Sequence, residues 1–235
     1  MDCFIKQVEF FLILYNIKQN ENIRRTFMSM EQVYILSAVF GYFVGTIPFG
    51  LLLTKMAGYG DIRKIGSGNI GATNVLRTGN KKLALLTVLC DASKAGLAAV
   101  IACCVYGCEN PNASMVSLVA GAFGIIGHNF PVWLKFKGGK GVASTLGFLL
   151  ATCWPVALIA LAIWLVMAFT FKYSSLSALT AAFLVPFVAY FLAPNMDYVV
   201  VYTAIVLLVI VRHHANIKRL LNGTESKIKL KKEEK

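Results

Sequence analysis

Long apolar runs separated by short polar connections dominate the chain. The runs occupy residues 33–53, 83–106, 113–126, 142–171, 176–193 and 198–211. A water-soluble domain with this much apolar sequence would show polar faces at helical or strand period, whereas residues 142–171 contain no charged side chain at all. A bilayer core about 30 Å thick takes a helix of about 20 apolar residues, so the pattern predicts an all-α polytopic membrane protein.

The connections differ in charge. Residues 54–82 carry Lys55, Arg63, Lys64, Arg77, Lys81 and Lys82, and residues 127–141 carry Lys135, Lys137 and Lys140, while 107–112 and 194–197 hold neither lysine nor arginine. Basic connections stay on the cytoplasmic side, which places the first two inside. The tail beyond Val211 is basic as well, so an even number of crossings must separate residue 141 from residue 212. As one helix rising about 1.5 Å per residue, the run 142–171 would far exceed the hydrocarbon thickness, and Pro155 near its middle removes a backbone donor. A break at Trp154 and Pro155 restores the parity. The expected architecture is therefore seven transmembrane helices, with the amino terminus outside and the carboxyl terminus cytoplasmic. Several pieces of about 14 residues are short for a span and must tilt or lean on neighbours.

Composition adds limits. Of 235 residues 57% are hydrophobic and 14% charged, and the net charge of +12 sits in the connections and the tail. That distribution points to anionic lipid headgroups and excludes nucleic acid as a partner. The six cysteines show no metal-binding spacing and read as small core hydrophobes, so neither a metal nor a cofactor is expected. Residues 1–29 mix charged and polar side chains around one apolar patch and match no signal peptide. They form either an extension, with Met28 or Met30 as the true start, or an interfacial arm. The domain reading is thus an extension at 1–29, a membrane domain at 30–227 and a basic cytoplasmic tail at 228–235.

Three connections carry candidate chemistry. In "GSGNIGATNVLR", Gly66, Gly68 and Gly71 let the backbone approach an anion, Ser67, Asn69, Thr73 and Asn74 offer neutral polar groups, and Arg77 adds a planar fork suited to phosphate. In "GHNFPVWLKFKGGKGVAS", His128 closes a span. Trp133, Lys135 and Lys137 suit an interfacial belt, whereas Lys140 stands among Gly138, Gly139 and Gly141 at the start of the next helix, where an anion would sit. The segment lacks the glycine and hydroxyl spacing of a nucleotide-binding phosphate loop. In "RHHANIKRLLNGTESK", His213, Asn216 and Arg219 recur every three residues and share a helical face, with Arg219 read as a headgroup contact. Asp91 and Lys94, three apart inside a span, are expected to pair.

Together these loops resemble the three signature segments of the bacterial acyl-phosphate-dependent glycerol-3-phosphate acyltransferase family. The likeness runs from Met30 to Lys227 and includes "GTIPFG" and "DASKAG". The resemblance implies transfer of a fatty acyl group from acyl phosphate to glycerol 3-phosphate at the cytoplasmic face of the bacterial inner membrane, with functional coupling to the enzyme that makes acyl phosphate. It implies that Ser67, Asn69, Thr73, Asn74 and Arg77 line the phosphate and carbonyl site, with Gly66, Gly68, Gly71 and His128 also binding substrate. Lys140 and its glycines would hold phosphate, His213 and Asn216 would complete the pocket, and Glu225 would serve structure. Thr46 stands where serine is usual, and His214 where arginine is usual, which leaves open which histidine points inward. A transporter would place its polar groups at mid-depth, and an acyl-CoA enzyme would show aspartate five residues after a histidine. The polar motifs lie on one side of the membrane, and none of His128, His213 and His214 has that aspartate.

Overall fold

The computed structural model describes residues 28–228. The described residues divide into two units, with the boundary between Leu36 and Ser37. All but the last two residues of the expected extension at 1–29, and all but the first of the tail at 228–235, lie outside the described residues. In the first unit helix α1, Met30–Gly45, starts on a reciprocal cap. Ser29 Oγ accepts from Gln32 N at 3.3 Å, and Ser29 N donates to Gln32 Oε1 at 2.8 Å.

In the second unit α1 ends at Gly45, and the chain resumes as α2, Phe49–Met56, after a break containing Pro48, which has no N–H to continue the ladder. There follow α3, Ala72–Val75, α4, Lys81–Tyr106, and α5, Ala113–Asn129. The remaining helices are α6, Val142–Thr152, α7, Trp154–Phe171, α8, Ser174–Leu192, α9, Met196–Arg212, and α10, His214–Leu221. No strand occurs among the described residues.

The expected break in the run 142–171 is present: α6 stops at Thr152 and α7 begins at Trp154. Pro155 lies in the first turn of α7, where its missing donor costs no helical bond. Among the described residues five segments are long and apolar enough to cross a membrane, α1 with α2 as Met30–Met56, α4, α5 extended to Leu134, α7 and α8, and α9 with α10, bent by 58°, forms a sixth if counted as one span. With 11 residues, α6 is only about 16 Å long and does not reach across a core by itself.

The bundle packs through small residues that bring backbones together. A methyl group on Gly45 would lie 2.0 Å from Gly124 O, and one on Gly147 1.8 Å from Ala92 O. Phe148, Leu118, Val156 and Tyr202 centre the main core between α5, α6, α7 and α9. A smaller cluster of Leu51, Ile62, Ile70, Val75 and Leu83 supports the first glycine loop. Large apolar side chains also face outward, Phe169, Phe191 and Val200 among them, as lipid contact requires. Of the cysteines described, only Cys153 is buried. Cys104 and Cys108, near the end of α4, are exposed and are not core residues as expected.

Candidate active site

The first loop is organised by Asn74, buried at the base of the turn. Its Nδ2 donates to the carbonyls of Ile62, Ile65 and Asn69 at 3.0, 3.0 and 2.9 Å, and its Oδ1 accepts from Ser67 N at 3.0 Å and from Arg77 Nη1 at 3.3 Å. One amide therefore ties the glycine turn to the arginine. Gly66 is held at φ +56°, and a side chain there would sit 2.4 Å from Arg77 Nη1, so only glycine lets the backbone pass over the guanidinium. Asn69 Oδ1 accepts from Gly71 N at 2.8 Å, and Thr73 Oγ1 lies 3.2 Å from Ser174 Oγ.

The second loop is clamped from two sides. Gly138 N and Gly139 N donate to Asn129 O and His128 O at 3.1 and 3.0 Å. On the other side Arg212 Nε donates to Gly139 O at 3.1 Å, and Nη2 donates to Gly138 O and Gly139 O, each at 3.0 Å. The Arg212 guanidinium in turn lies 5.1 Å above the Phe130 ring. Gly139 rests on the His128 imidazole, where a Cβ would fall 1.9 Å from Nε2. Lys140 follows directly, and Gly141 starts α6 with no side-chain cap.

The third segment joins them. Lys140 Nζ donates to Asn216 Oδ1 at 2.5 Å, and Asn216 Nδ2 donates to Glu225 Oε1 at 2.6 Å. Glu225 also accepts from Ser175 Oγ and from Arg219 Nε, both at 2.6 Å. Burial pushes the Glu225 carboxyl up, but the hydrogen bonds from Ser175, Asn216 and Arg219 outweigh it and hold the group below the usual carboxylate range. Burial, opposed by Glu225 and reinforced by Arg219, Arg77 and Arg212, brings Lys140 down to about 8. His213 is buried and its Nδ1 lies 2.7 Å from Val209 O. A carbonyl only accepts, so Nδ1 carries the proton and Nε2 of the neutral ring is an acceptor.

These groups open on one cavity of about 360 Å³. Its polar mouth is formed by Ser67, Arg77, Lys140, His213, Asn216 and Arg219, and it continues between α6, α7, α8 and α9 along Leu149, Ala160, Ala181 and Val206. From Gly141 to Leu149 the lining follows α6 for about 12 Å at the helical rise. The arrangement can hold an anion at the mouth and an apolar chain below it.

The family described as glycerol-3-phosphate acyltransferase matches residues 35–223. The chain belongs to this family. Glycerol-3-phosphate acyltransferases of Mesorhizobium japonicum and Rhodospirillum rubrum are 57% and 53% identical over 195 and 199 residues, covering 83% of this chain in each case and 95% and 91% of the relatives. Among solved structures, the crystal structure of PlsY (YgiH), an integral membrane glycerol 3-phosphate acyltransferase, in its glycerol 3-phosphate form superposes with a TM-score of 0.76 at 35% identity, covering 83% of this chain and 96% of that one. The lysphosphatidic acid form gives 0.75 at 34% identity, covering 83% and 95%.

In this member of the acyltransferase family the site residues expected from sequence fall into two groups. Ser67, Asn69, Gly71, Thr73, Asn74, Arg77, His128, Lys140, Gly141, His213 and Asn216 all line the cavity, whereas Gly66, Gly68, Gly138 and Gly139 shape the loops without lining it. His213 is the inward histidine. His214 is exposed, with Nδ1 3.1 Å from Val211 O. Arg219 does not merely face headgroups: it lines the cavity and pairs with Glu225, because the chain after α10 turns back over the mouth. Asp91 and Lys94 pair at 3.2 Å, and Asp91 also lines the cavity. Thr46 Oγ1 donates to Phe43 O at 2.6 Å and accepts from Trp133 Nε1 at 2.9 Å, roles that need only a hydroxyl. Sequence reasoning missed Arg212, Thr145, Ser175 and Ser226. Ser226 Oγ accepts from Arg77 Nη2 at 2.6 Å, and nothing local to either residue announces the contact.

Proposed function

We propose that this chain transfers a fatty acyl group from acyl phosphate to glycerol 3-phosphate, forming 1-acylglycerol 3-phosphate and inorganic phosphate, the first acylation of phospholipid synthesis. The observation that carries the reading is the single cavity that joins a basic, hydrogen-bonded mouth to an apolar arm within the bundle. Two phosphate-bearing substrates need cations, a fatty chain needs the arm, and both must meet where these join.

An acyl phosphate is a mixed anhydride with a good leaving group, so the protein's task is alignment and charge stabilisation. The glycerol primary hydroxyl forms a new bond to the acyl carbon, the bond from that carbon to the phosphate oxygen breaks, and the hydroxyl proton leaves with the phosphate or passes to His213 Nε2. Arg77 and Lys140 meet the negative charge that develops, with Ser67 and the loop amides beside them. Asn216, fixed by Glu225, aims Lys140.

Residues 30–227 form the catalytic body in this reading, in the bacterial inner membrane with seven crossings, α6 being the short one, and the site faces the cytoplasm. The donor is labile, which favours functional coupling to the enzyme that produces it. Purified protein offered acyl phosphate or acyl-CoA, each with glycerol 3-phosphate, tests the donor: product from acyl-CoA alone overturns it. Cysteines introduced at Asn69, Lys137 and Glu225 should all be shielded from an impermeant reagent outside intact cells, and labelling of any one breaks the seven-crossing topology.

A further inference from the structure

Among the described residues, the buried side-chain polar atoms without a hydrogen-bond partner are Asp91 Oδ1, His128 Nδ1, Thr145 Oγ1 and both amide atoms of Asn129. They are not scattered. Asp91, His128 and Thr145 line the same cavity as Lys140, and Asn129 lies against Gly141. Asp91 and His128 are 3% and 4% exposed, so bulk water does not serve them. Lys94 Nζ neutralises the carboxylate from 3.2 Å while giving its hydrogen bond to Ile47 O at 2.9 Å, and His128 Nδ1 stands 3.6 Å from the same Asp91 oxygen. Buried polar groups are normally satisfied, and leaving several bare in one wall is costly unless whatever enters the cavity completes them.

The chemistry of the wall selects its ligand. It offers a carboxylate whose charge is already cancelled, an imidazole nitrogen and a hydroxyl. A phosphate would bring negative charge to a buried wall whose one cation, Lys94, is already paired with Asp91, and an acyl chain has no polar atom. A neutral group that both donates and accepts fits, which is an alcohol. The acceptor has two hydroxyls, and the primary one must lie at the acyl carbon. Resting on the reading that glycerol 3-phosphate is that acceptor, we propose that Asp91, His128 and Thr145 form the subsite for its secondary, non-reacting hydroxyl. Asp91 accepts a hydrogen bond from the hydroxyl, while Thr145 and His128 complete the hydroxyl's remaining hydrogen bonds. This subsite fixes the glycerol backbone so that the primary hydroxyl faces the donor.

The test pairs two acceptors, glycerol 3-phosphate and its 2-deoxy analogue, with three proteins: the parent, Thr145→Val and Asp91→Asn. The parent should prefer glycerol 3-phosphate by about 10- to 100-fold in kcat/KM, the range for a buried hydrogen bond to a charged group. Each variant should lose activity toward glycerol 3-phosphate while changing little toward the deoxy analogue, so that the preference shrinks. Thr145→Val keeps the side-chain shape and carries the test if Asp91→Asn, which strands Lys94, fails to fold. Equal losses on both acceptors mark a structural role and overturn the subsite, as does a parent that uses both acceptors equally well. A parent that acylates neither overturns the proposed function, and the subsite with it.

Discussion

At the mouth of the cavity Lys140, Arg77 and Glu225 are each held by a neighbour from a distant segment: Lys140 by Asn216, Arg77 by Ser226, Glu225 by Ser175. Below it, Ala160, Ala178, Ala181 and Val185 wall the arm and make no directed side-chain bond. The contrast separates two kinds of recognition. In the proposed reaction the mouth would select by placed charges, whose loss leaves buried groups unpaired, and the arm by volume, which tolerates change in small steps. Mutations in the mouth should therefore act on chemistry and on the acceptor, and mutations in the arm on the donor's tail.

The largest effect tests the mouth directly. Lys140→Ala and Arg77→Ala should each lower turnover by about 10²- to 10³-fold, the usual cost of removing one preorganised donor to a developing anion. Arg77→Lys should also lose heavily, because it keeps the charge and removes the fork. Acyl transfer by purified, folded variants at saturating substrate decides this, and parental turnover in both alanine variants would sink the assignment.

A smaller loss is expected one bond further out. Glu225→Ala removes the acceptor of Ser175, Asn216 and Arg219 and should lower kcat/KM by about 10- to 100-fold. Arg219→Ala breaks only a half-exposed pair, and a change beyond about fivefold would show that Arg219 itself meets substrate. Steady-state kinetics on both variants, with thermal unfolding as a control, separates the two.

The mouth should also titrate while the arm does not. With Lys140 lowered to about 8, its ammonium is charged below that pH and lost above it. The free-enzyme profile of kcat/KM should therefore fall as pH rises through about 8, by at most tenfold per unit. Lys140→Arg should abolish this step, and an unchanged profile in that variant would assign the titration to another group.

The arm should give the mildest response. Ala181→Phe narrows it and should shift preference toward shorter acyl donors by a few-fold, leaving the KM for glycerol 3-phosphate unaltered. A panel of acyl phosphates of graded length measures this, and a raised glycerol 3-phosphate KM with no length effect would mean that the two regions are not separate.

Much of this was legible along the chain. The break before Pro155, the basic connections and the glycine context of Lys140 are local, and local chemistry is readable from spacing. The register of His213, Asn216 and Arg219 on one face likewise follows from helical period. Which of two adjacent histidines turns inward was not readable, because it depends on where α9 ends and α10 bends away. The pairing of Arg219 with Glu225 was not readable for the same kind of reason, since Glu225 reaches it only after the chain reverses.

By itself, then, the sequence determined that apolar helices must be buried in lipid and that three polar loops gather the residue types suited to phosphate, because burial cost and backbone freedom are properties of each residue and its near neighbours. Tertiary structure alone decided that Arg77 meets Ser226 across 149 residues, that Arg212 clamps the second glycine loop, and that Asp91, His128 and Thr145 share one wall. Such contacts are set by how whole helices pack, and close backbone approach at Gly45 and Gly147 fixes that packing far from any of the groups it brings together.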